Sequence, residues 1–175
     1  MPTSRQFPRK PFRFGVQANS APDRKSWVDL SKRVEANGYS VLTLPDHFTD
    51  QLAPMPALMC AADVTSTLRL GALVWDNDYK HPLVFAKEIA TMDVLSEGRI
   101  ELGIGAGWMK TDYEQSGIPY DSPGVRIDRM IEGIDVMRGC FAEGPFSFSG
   151  KHYTITNYNG MPKPLQGACP PILMG

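Results

Sequence analysis

Leu68-Arg-Leu-Gly-Ala-Leu-Val74 is followed by Pro82, by a stripe of Phe85, Ala86, Ile89 and Met92, by Gly98, and then by Arg99-Ile-Glu-Leu-Gly-Ile104. The two apolar end segments read as strands and the stripe between them as a helix. Pro82 fits the first turn of that helix, where its missing N–H is no loss, and Gly98 stands just past the end. Between strand and helix lies Trp75-Asp-Asn-Asp78, a polar connection. This is one complete βαβ unit.

The same unit recurs on the N-terminal side. Tyr39-Ser-Val-Leu-Thr-Leu44 is a strand ended by Pro45, and Pro56 sits early in a helix carrying Leu58, Ala61, Ala62 and Val64. Before it, residues 12–17 form a strand and Asn19-Ser-Ala-Pro-Asp23 a turn. Asp23 or Ser26 can cap a helix with Trp27, Leu30 and Val34, which Gly38 stops in the C′ position. Strand starts near residues 12, 39, 68 and 99 are about 27–31 residues apart, as right-handed crossovers in a parallel sheet require.

The fourth crossover is longer. It holds a helix over about residues 124–141, with Ile127, Met130, Ile131, Ile134, Met137 and Phe141 at helical spacing. Residues 146–155 alternate in period 2 around Gly150-Lys151 and read as a hairpin. Pro170-Pro-Ile-Leu-Met-Gly175 begins a fifth strand. Four crossovers and the start of a fifth strand fit an open doubly wound sheet or the front part of a barrel. The exposed edge that a lone last strand would leave favours a barrel shortened to its N-terminal half.

The 175 residues carry 18 Lys and Arg against 19 Asp and Glu, so the net charge is −1. That balance lacks the basic footprint of a nucleic-acid binder. No apolar run reaches the roughly 18–20 residues of a membrane span. Residues 1–11 are basic and proline-rich, without the apolar core of a secretory signal, and are expected to be a flexible tail ahead of a single domain over 12–175. Cys60, Cys140 and Cys169 form no CxxC pair, so they read as reduced thiols in a cytoplasmic protein. With His47, His81 and His152 far apart, no metal site is expected.

In parallel α/β folds the working residues collect past the C-terminal ends of the strands. Asp46-His47-Phe48 follows the second strand, and Gly103-Ile-Gly105-Ala-Gly107-Trp108 ends the fourth. His47 is the side chain best placed to exchange a proton near neutrality. Asp46 precedes it and is a candidate to fix its orientation, although neighbours along a strand point to opposite faces. The glycine run fails the dinucleotide fingerprint, because Trp108 stands where the third glycine belongs. Its alternate glycines can offer a bare surface to a planar ring, with Trp108 as a wall, or can pack against a core. His81 belongs to a helix start and His152 to the hairpin. Arg126, Arg129 and Glu132 read as a solvated or salt-bridged helix face.

Taken together, several of these segments resemble the luciferase-like monooxygenase superfamily, most nearly its branch using the deazaflavin coenzyme F-420. The resemblance rests on Asp46-His47-Phe48, Leu70-Gly-Ala-Leu-Val74, His81-Pro82 through Gly98-Arg99, and Leu102-Gly-Ile-Gly-Ala-Gly-Trp108. It continues through Gly117-Ile-Pro119, Arg126 to Arg138, and Lys163-Pro164 to Gly175, and so covers nearly everything from Phe12 onward. It implies a TIM-type (β/α)8 barrel, present here as its N-terminal half. The coenzyme ring would lie over the C-terminal strand ends, beside His47 as proton donor, proton acceptor or charge stabiliser.

A non-prolyl cis peptide at Leu73-Val74 and ring contacts from Gly105, Ala106, Gly107 and Trp108 are further implications of the resemblance. Trp108 stands where the branch's sugar-phosphate dehydrogenases have a Glu, so a sugar phosphate is not the expected substrate. The family's groups for the coenzyme's phosphate tail come mostly from later strands.

Three readings follow. The first is a deazaflavin-dependent oxidoreductase moving a hydride to or from a small organic substrate, which the Asp46–Phe48 and Gly105–Trp108 segments favour. The second is an FMN-dependent monooxygenase, and the third a non-catalytic fragment. Association into a homodimer would cover the open edge.

Overall fold

Proline and glycine set most element boundaries in the computed structural model, which describes residues 11–175. The tail expected over residues 1–11 lies, apart from Pro11, outside those residues. Strand β1 (Gly15–Gln17) leads to helix α1 (Arg24–Ala36), whose first turn is capped by the Asp23 carboxylate accepting from the Ser26 N–H at 2.7 Å. Gly38, at φ +78°, ends that helix in a left-handed conformation that costs glycine little. Then come β2 (Val41–Leu44), α2 (Pro54–Asp63), β3 (Arg69–Ala72), a two-residue strand β4 (Trp75–Asp76), and a 3-10 turn over Asn77–Tyr79. Helix α3 (Pro82–Leu95) begins at Pro82, as its sequence requires, and β5 (Ile100–Gly105) follows Gly98. The rest is α4 (Lys110–Ser116), α5 (Pro123–Phe141), the hairpin β6 (Phe146–Ser149) and β7 (Thr154–Tyr158), and β8 (Ile172–Met174).

The strand order settles which α/β architecture this is. β1, β2, β3, β5 and β8 pair in chain order, every pair parallel, and β6–β7 form a separate antiparallel hairpin. A doubly wound sheet reverses its order at a switch point; this one does not. Right-handed crossovers taken always in one direction put every helix on one face of the sheet. The helices accordingly pack on each other in succession, α1 on α2, α2 on α3 and α3 on α5. That is the front half of a (β/α)8 barrel.

The faces of β5 show the consequence. Ile100, Leu102 and Ile104 are fully buried in the core formed with the helices, whereas Glu101, Gly103 and Gly105 alternate onto the other face. On that face Glu101 accepts from Arg13 at 2.6 Å and from Arg69 at 2.5 Å. The helix layer is tied by polar contacts as well. The Trp27 indole N–H donates to the Ala57 carbonyl at 2.8 Å, joining α1 to α2. Arg99 donates to the carbonyls of Ala62 and Leu68, satisfying groups at the end of α2 and the start of the next strand.

Three details differ from the sequence reading. The third strand is not continuous over residues 68–74. It stops at Ala72 and resumes at Trp75, and its pairing with β5 advances by one residue, from Leu70 opposite Ile100 to Trp75 opposite Ile104. The extra residue bulges at Leu73-Val74, where the peptide bond is cis. Helix α4 was not visible in the pattern, being seven residues long with no apolar stripe. Finally, the buried side of α5 is rotated: Ile127 and Ile131 are exposed, while Arg126, Gly133, Val136 and Cys140 are buried. The side chain of Asn77 comes so close to Gly133 that no Cβ fits there, which fixes the face that α5 turns inward.

Candidate functional site

The C-terminal ends of β2, β3–β4 and β5 open into one cavity of about 400 Å³. Asp46 and His47 reach it from the end of β2, Leu73 and Val74 from the bulge, and Gly105, Ala106, Gly107 and Trp108 from the end of β5. All eight residues singled out from the sequence therefore line one space. Asp76, Pro123, Arg126, Ile127 and Gly175 complete its wall. A volume of this order lies within the range of small-molecule sites.

The glycines at this strand end answer first to the protein's own packing. A Cβ at Gly103 would enter the Ala72 carbonyl oxygen, and one at Gly105 would come within 2.6 Å of Val74 Cγ2. Gly107 has φ +76°, and a Cβ there would meet the Tyr113 hydroxyl and the Asp76 carboxylate. Of the two sequence readings of these glycines, packing accounts for the side their missing Cβ atoms would occupy. Their backbone still lines the cavity.

His47 is held by a residue that the sequence did not point to. Its Nδ1 lies 2.8 Å from Asp112 Oδ2, and Asp112, on α4, is buried to 1% exposure. The same oxygen accepts from the Tyr79 hydroxyl at 2.9 Å, and Asp112 Oδ1 accepts from the Phe48 N–H at 3.4 Å. Tyr79 in turn stacks on Phe48 at 4.5 Å. Asp46 does not orient His47. Its Oδ2 accepts instead from the Asp76 N–H at 3.3 Å, because consecutive residues leave β2 in opposite directions. Trp108, 69% exposed, sets its indole at 87° to the His47 ring with centroids 5.6 Å apart. The only signal for Asp112 in the sequence is an acid four residues past Trp108 in a segment without periodicity.

A second polar layer lies behind the cavity. Asp78 accepts from Arg129 Nε and Nη2, both at 2.8 Å, and Arg129 Nη1 donates to Asp121 at 2.8 Å. The Tyr113 hydroxyl lies 3.0 Å from Asp76 Oδ2 and 3.2 Å from Asp78 Oδ2. Burial, reinforced by these carboxylates, raises the Tyr113 pKa above the ordinary phenol value. Arg126 departs from the solvated or ion-paired face expected of it. It is buried, stacks its guanidinium 4.2 Å from the Tyr120 ring centroid and donates to the Ala106 carbonyl at 3.2 Å. Glu132 stays partly exposed and accepts from the backbone N–H groups of Lys151, His152 and Tyr153, and so pins the hairpin turn.

Asp76 stands between the two layers. Burial is the main cause that pushes its pKa up to about 6, with the Asp78 and Asp46 carboxylates adding to it against hydrogen bonds from the Asp78 N–H and Tyr113. An unfolded Asp titrates near 4. Between about pH 4 and pH 6 the folded chain thus binds more protons than the unfolded one, and this residue's contribution to stability falls as pH rises through that window. Asp76→Asn keeps an acceptor for both hydrogen bonds and removes the buried charge. The variant is expected to melt about 2–4 °C above the parent at pH 7.5, an effect of order 1 kcal/mol after solvent screening. The gap closes below about pH 4. Thermal unfolding of both proteins across pH 3.5–8 checks this, and an equal or lower melting temperature for the variant at pH 7.5 contradicts it.

Over residues 10–175 the chain matches the family model of luciferase-like monooxygenases. An uncharacterised protein of Mycobacterium tuberculosis is 29% identical over 181 residues, covering 90% of this chain and 61% of its own length. The FMNH(2)-dependent dimethylsulfone monooxygenase of Pseudomonas putida is 27% identical over 175 residues, covering 92% of this chain and 47% of that protein. Among solved structures, the coenzyme F-420 dependent tetrahydromethanopterin reductase of Methanopyrus kandleri superposes with a TM-score of 0.83 at 26% identity. That match covers 93% of this chain and 49% of the reductase. The chain thus spans about half to three-fifths of the length of the proteins it matches.

Proposed function

We propose that this chain, which belongs to the luciferase-like monooxygenase family, seats the ring of coenzyme F-420 in the cavity at its strand ends and serves an oxidoreductase acting on a small organic molecule. One observation carries the reading. A proton-exchanging side chain, His47, paired with a buried carboxylate, stands in the wall of a mainly apolar cavity built from the strand-end backbone. The residues fit a planar ring: Leu73, Val74, Ala106 and Ile127 supply apolar walls, and the backbone at Gly105 and Gly107 adds surface without side chains.

When bound, a deazaflavin ring carries a hydride, whereas a reduced flavin ring activates dioxygen. The protein's share of the work lies in its own residues. His47 holds or moves a proton at the cavity wall. Arg126, fixed by Tyr120 and Ala106, sets a permanent positive charge in a wall that also holds the Asp46 and Asp76 carboxylates. Trp108 adds an aromatic wall set edge-on to His47.

FMN is the second reading, favoured by the match to the dimethylsulfone monooxygenase. A fluorescence titration of the purified chain with coenzyme F-420, run beside FMN, separates the two. Saturable binding selective for F-420 supports the proposal, and selectivity for FMN transfers it to a monooxygenase. Binding of neither ring to a chain shown folded by circular dichroism overturns it for this chain.

A further inference from the structure

The contact between His47 and Asp112 has more structure than a single ion pair. Asp112 is almost wholly buried, and its two oxygens face different donors. Oδ1 accepts from the Phe48 backbone N–H at 3.4 Å, a group that can only donate. Oδ2 accepts from the Tyr79 hydroxyl at 2.9 Å and lies 2.8 Å from His47 Nδ1. A carboxylate offers acceptors alone, so a neutral imidazole meets it through Nδ1–H and keeps its lone pair on Nε2. His47 Nε2 has no protein partner among the described residues, yet it is not one of the buried polar atoms left without one, so it is accessible, on a residue that lines the cavity.

We propose that Asp112 is the positioning residue of this site: it selects the Nδ1–H tautomer of His47 and holds the ring so that Nε2 is the atom that takes up and returns a proton in the cavity. Tyr79 braces the carboxylate by donating to the same oxygen that meets His47. The groups around the imidazole are Asp112 and Trp108 from the segment after β5, Tyr79 from the 3-10 turn, and Asp46 from its own strand end. Of these, Asp112 alone is bonded to the ring. The tautomer stands on geometry by itself; the use of Nε2 in turnover rests on the ring-site reading above.

The Phe48 N–H makes the test directional. In Asp112→Asn, the side-chain oxygen is drawn to Phe48, because an NH₂ group there would face another donor. The NH₂ then takes the place of Oδ2: one hydrogen goes to the Tyr79 oxygen, which turns to accept it, and the other faces His47, which forces Nδ1 to accept and moves the proton to Nε2. Nitrogen-15 NMR of the histidine rings, recorded with no coenzyme at a pH where His47 is neutral, reads this out. The parent chain is expected to show a protonated Nδ1 and a bare Nε2, and Asp112→Asn the reverse. Tyr79→Phe keeps the carboxylate and is expected to keep the parent pattern.

A parent chain with the proton on Nε2 overturns the proposal, even if Asp112→Asn fails to fold. So does a folded Asp112→Asn chain with an unchanged tautomer. Because the readout needs no bound ring, failure of either coenzyme to bind leaves this result standing, and a wrong tautomer leaves the ring-site reading standing.

Discussion

Gly103→Ala is expected to destabilise the chain by at least about 3 kcal/mol, or to prevent it from folding, although it adds one methyl group. Gly103 lies in the middle of β5, paired with Leu173 of β8, and its missing Cβ points at the carbonyl of Ala72 in the neighbouring strand. The obstacle is backbone, which cannot swing aside as the end of a long side chain can. Gly71 stands in the mirror position, where a Cβ would enter the Glu101 carbonyl. The two glycines let β3 and β5 approach each other where the ladder breaks at Leu73-Val74. A methyl group at Gly103 has to separate the strands, and the opening propagates to Ile104 and Gly105 under the cavity. Gly124→Ala is the matched control: nothing lies within 4 Å of the new methyl, and the position is helical. It is expected to be neutral or to stabilise by up to about 1 kcal/mol. Urea unfolding of the three proteins gives the comparison. Equal midpoints for Gly103→Ala and the parent would mean that the strands yield, and that the glycine run is not a packing requirement.

How much of this was legible in advance depends on how each feature is encoded. The βαβ units are written locally, in short apolar segments and in Pro82, Gly38 and Gly98 at the ends of helices, and so they could be read residue by residue. The choice of a barrel over a doubly wound sheet is not local, and the sequence reached it only through the edge argument and the resemblance. Which residues line the cavity was readable because parallel strands deliver their ends to one place. How those residues are wired was not. Asp112 meets His47 across 65 positions of chain. It lies on a seven-residue helix whose sequence, Lys-Thr-Asp-Tyr-Glu-Gln-Ser, shows no periodicity. Arg126 looked like a surface residue because charged side chains at helical spacing ordinarily are. Its burial depends on Tyr120 and the Ala106 carbonyl, contacts that no helical pattern encodes. The split of the third strand left no compositional mark; only the family resemblance pointed to Leu73-Val74.

His47→Ala is expected to lower coenzyme-dependent turnover by about 10²–10⁴-fold, the usual worth of a positioned acid or base. Dissociation of the ring should change by less than about threefold, under 1 kcal/mol. The asymmetry follows from the geometry. His47 is one of many residues in the cavity wall, and removing its ring leaves Val74, Ala106, Trp108 and Ile127 in place. What disappears is the one nearby imidazole and, with it, the partner of a carboxylate that is itself fully enclosed. Turnover followed by the change in the ring's absorbance, beside a binding titration, separates the two effects. Unchanged turnover removes His47 from the mechanism, and loss of binding equal to loss of turnover makes it a wall residue. Added imidazole, which fits the space vacated, should restore part of the rate in His47→Ala and none in the parent. The pair with Asp112 supplies the stricter criterion. If Asp112 acts only through the His47 ring, Asp112→Asn lowers turnover in the parent but adds nothing in the His47→Ala background, because residues that work as a unit are not additive. An independent loss in that background would mean that Asp112 serves the cavity by another route, through Tyr79 or the loop at Phe48, to which its other hydrogen bonds lead.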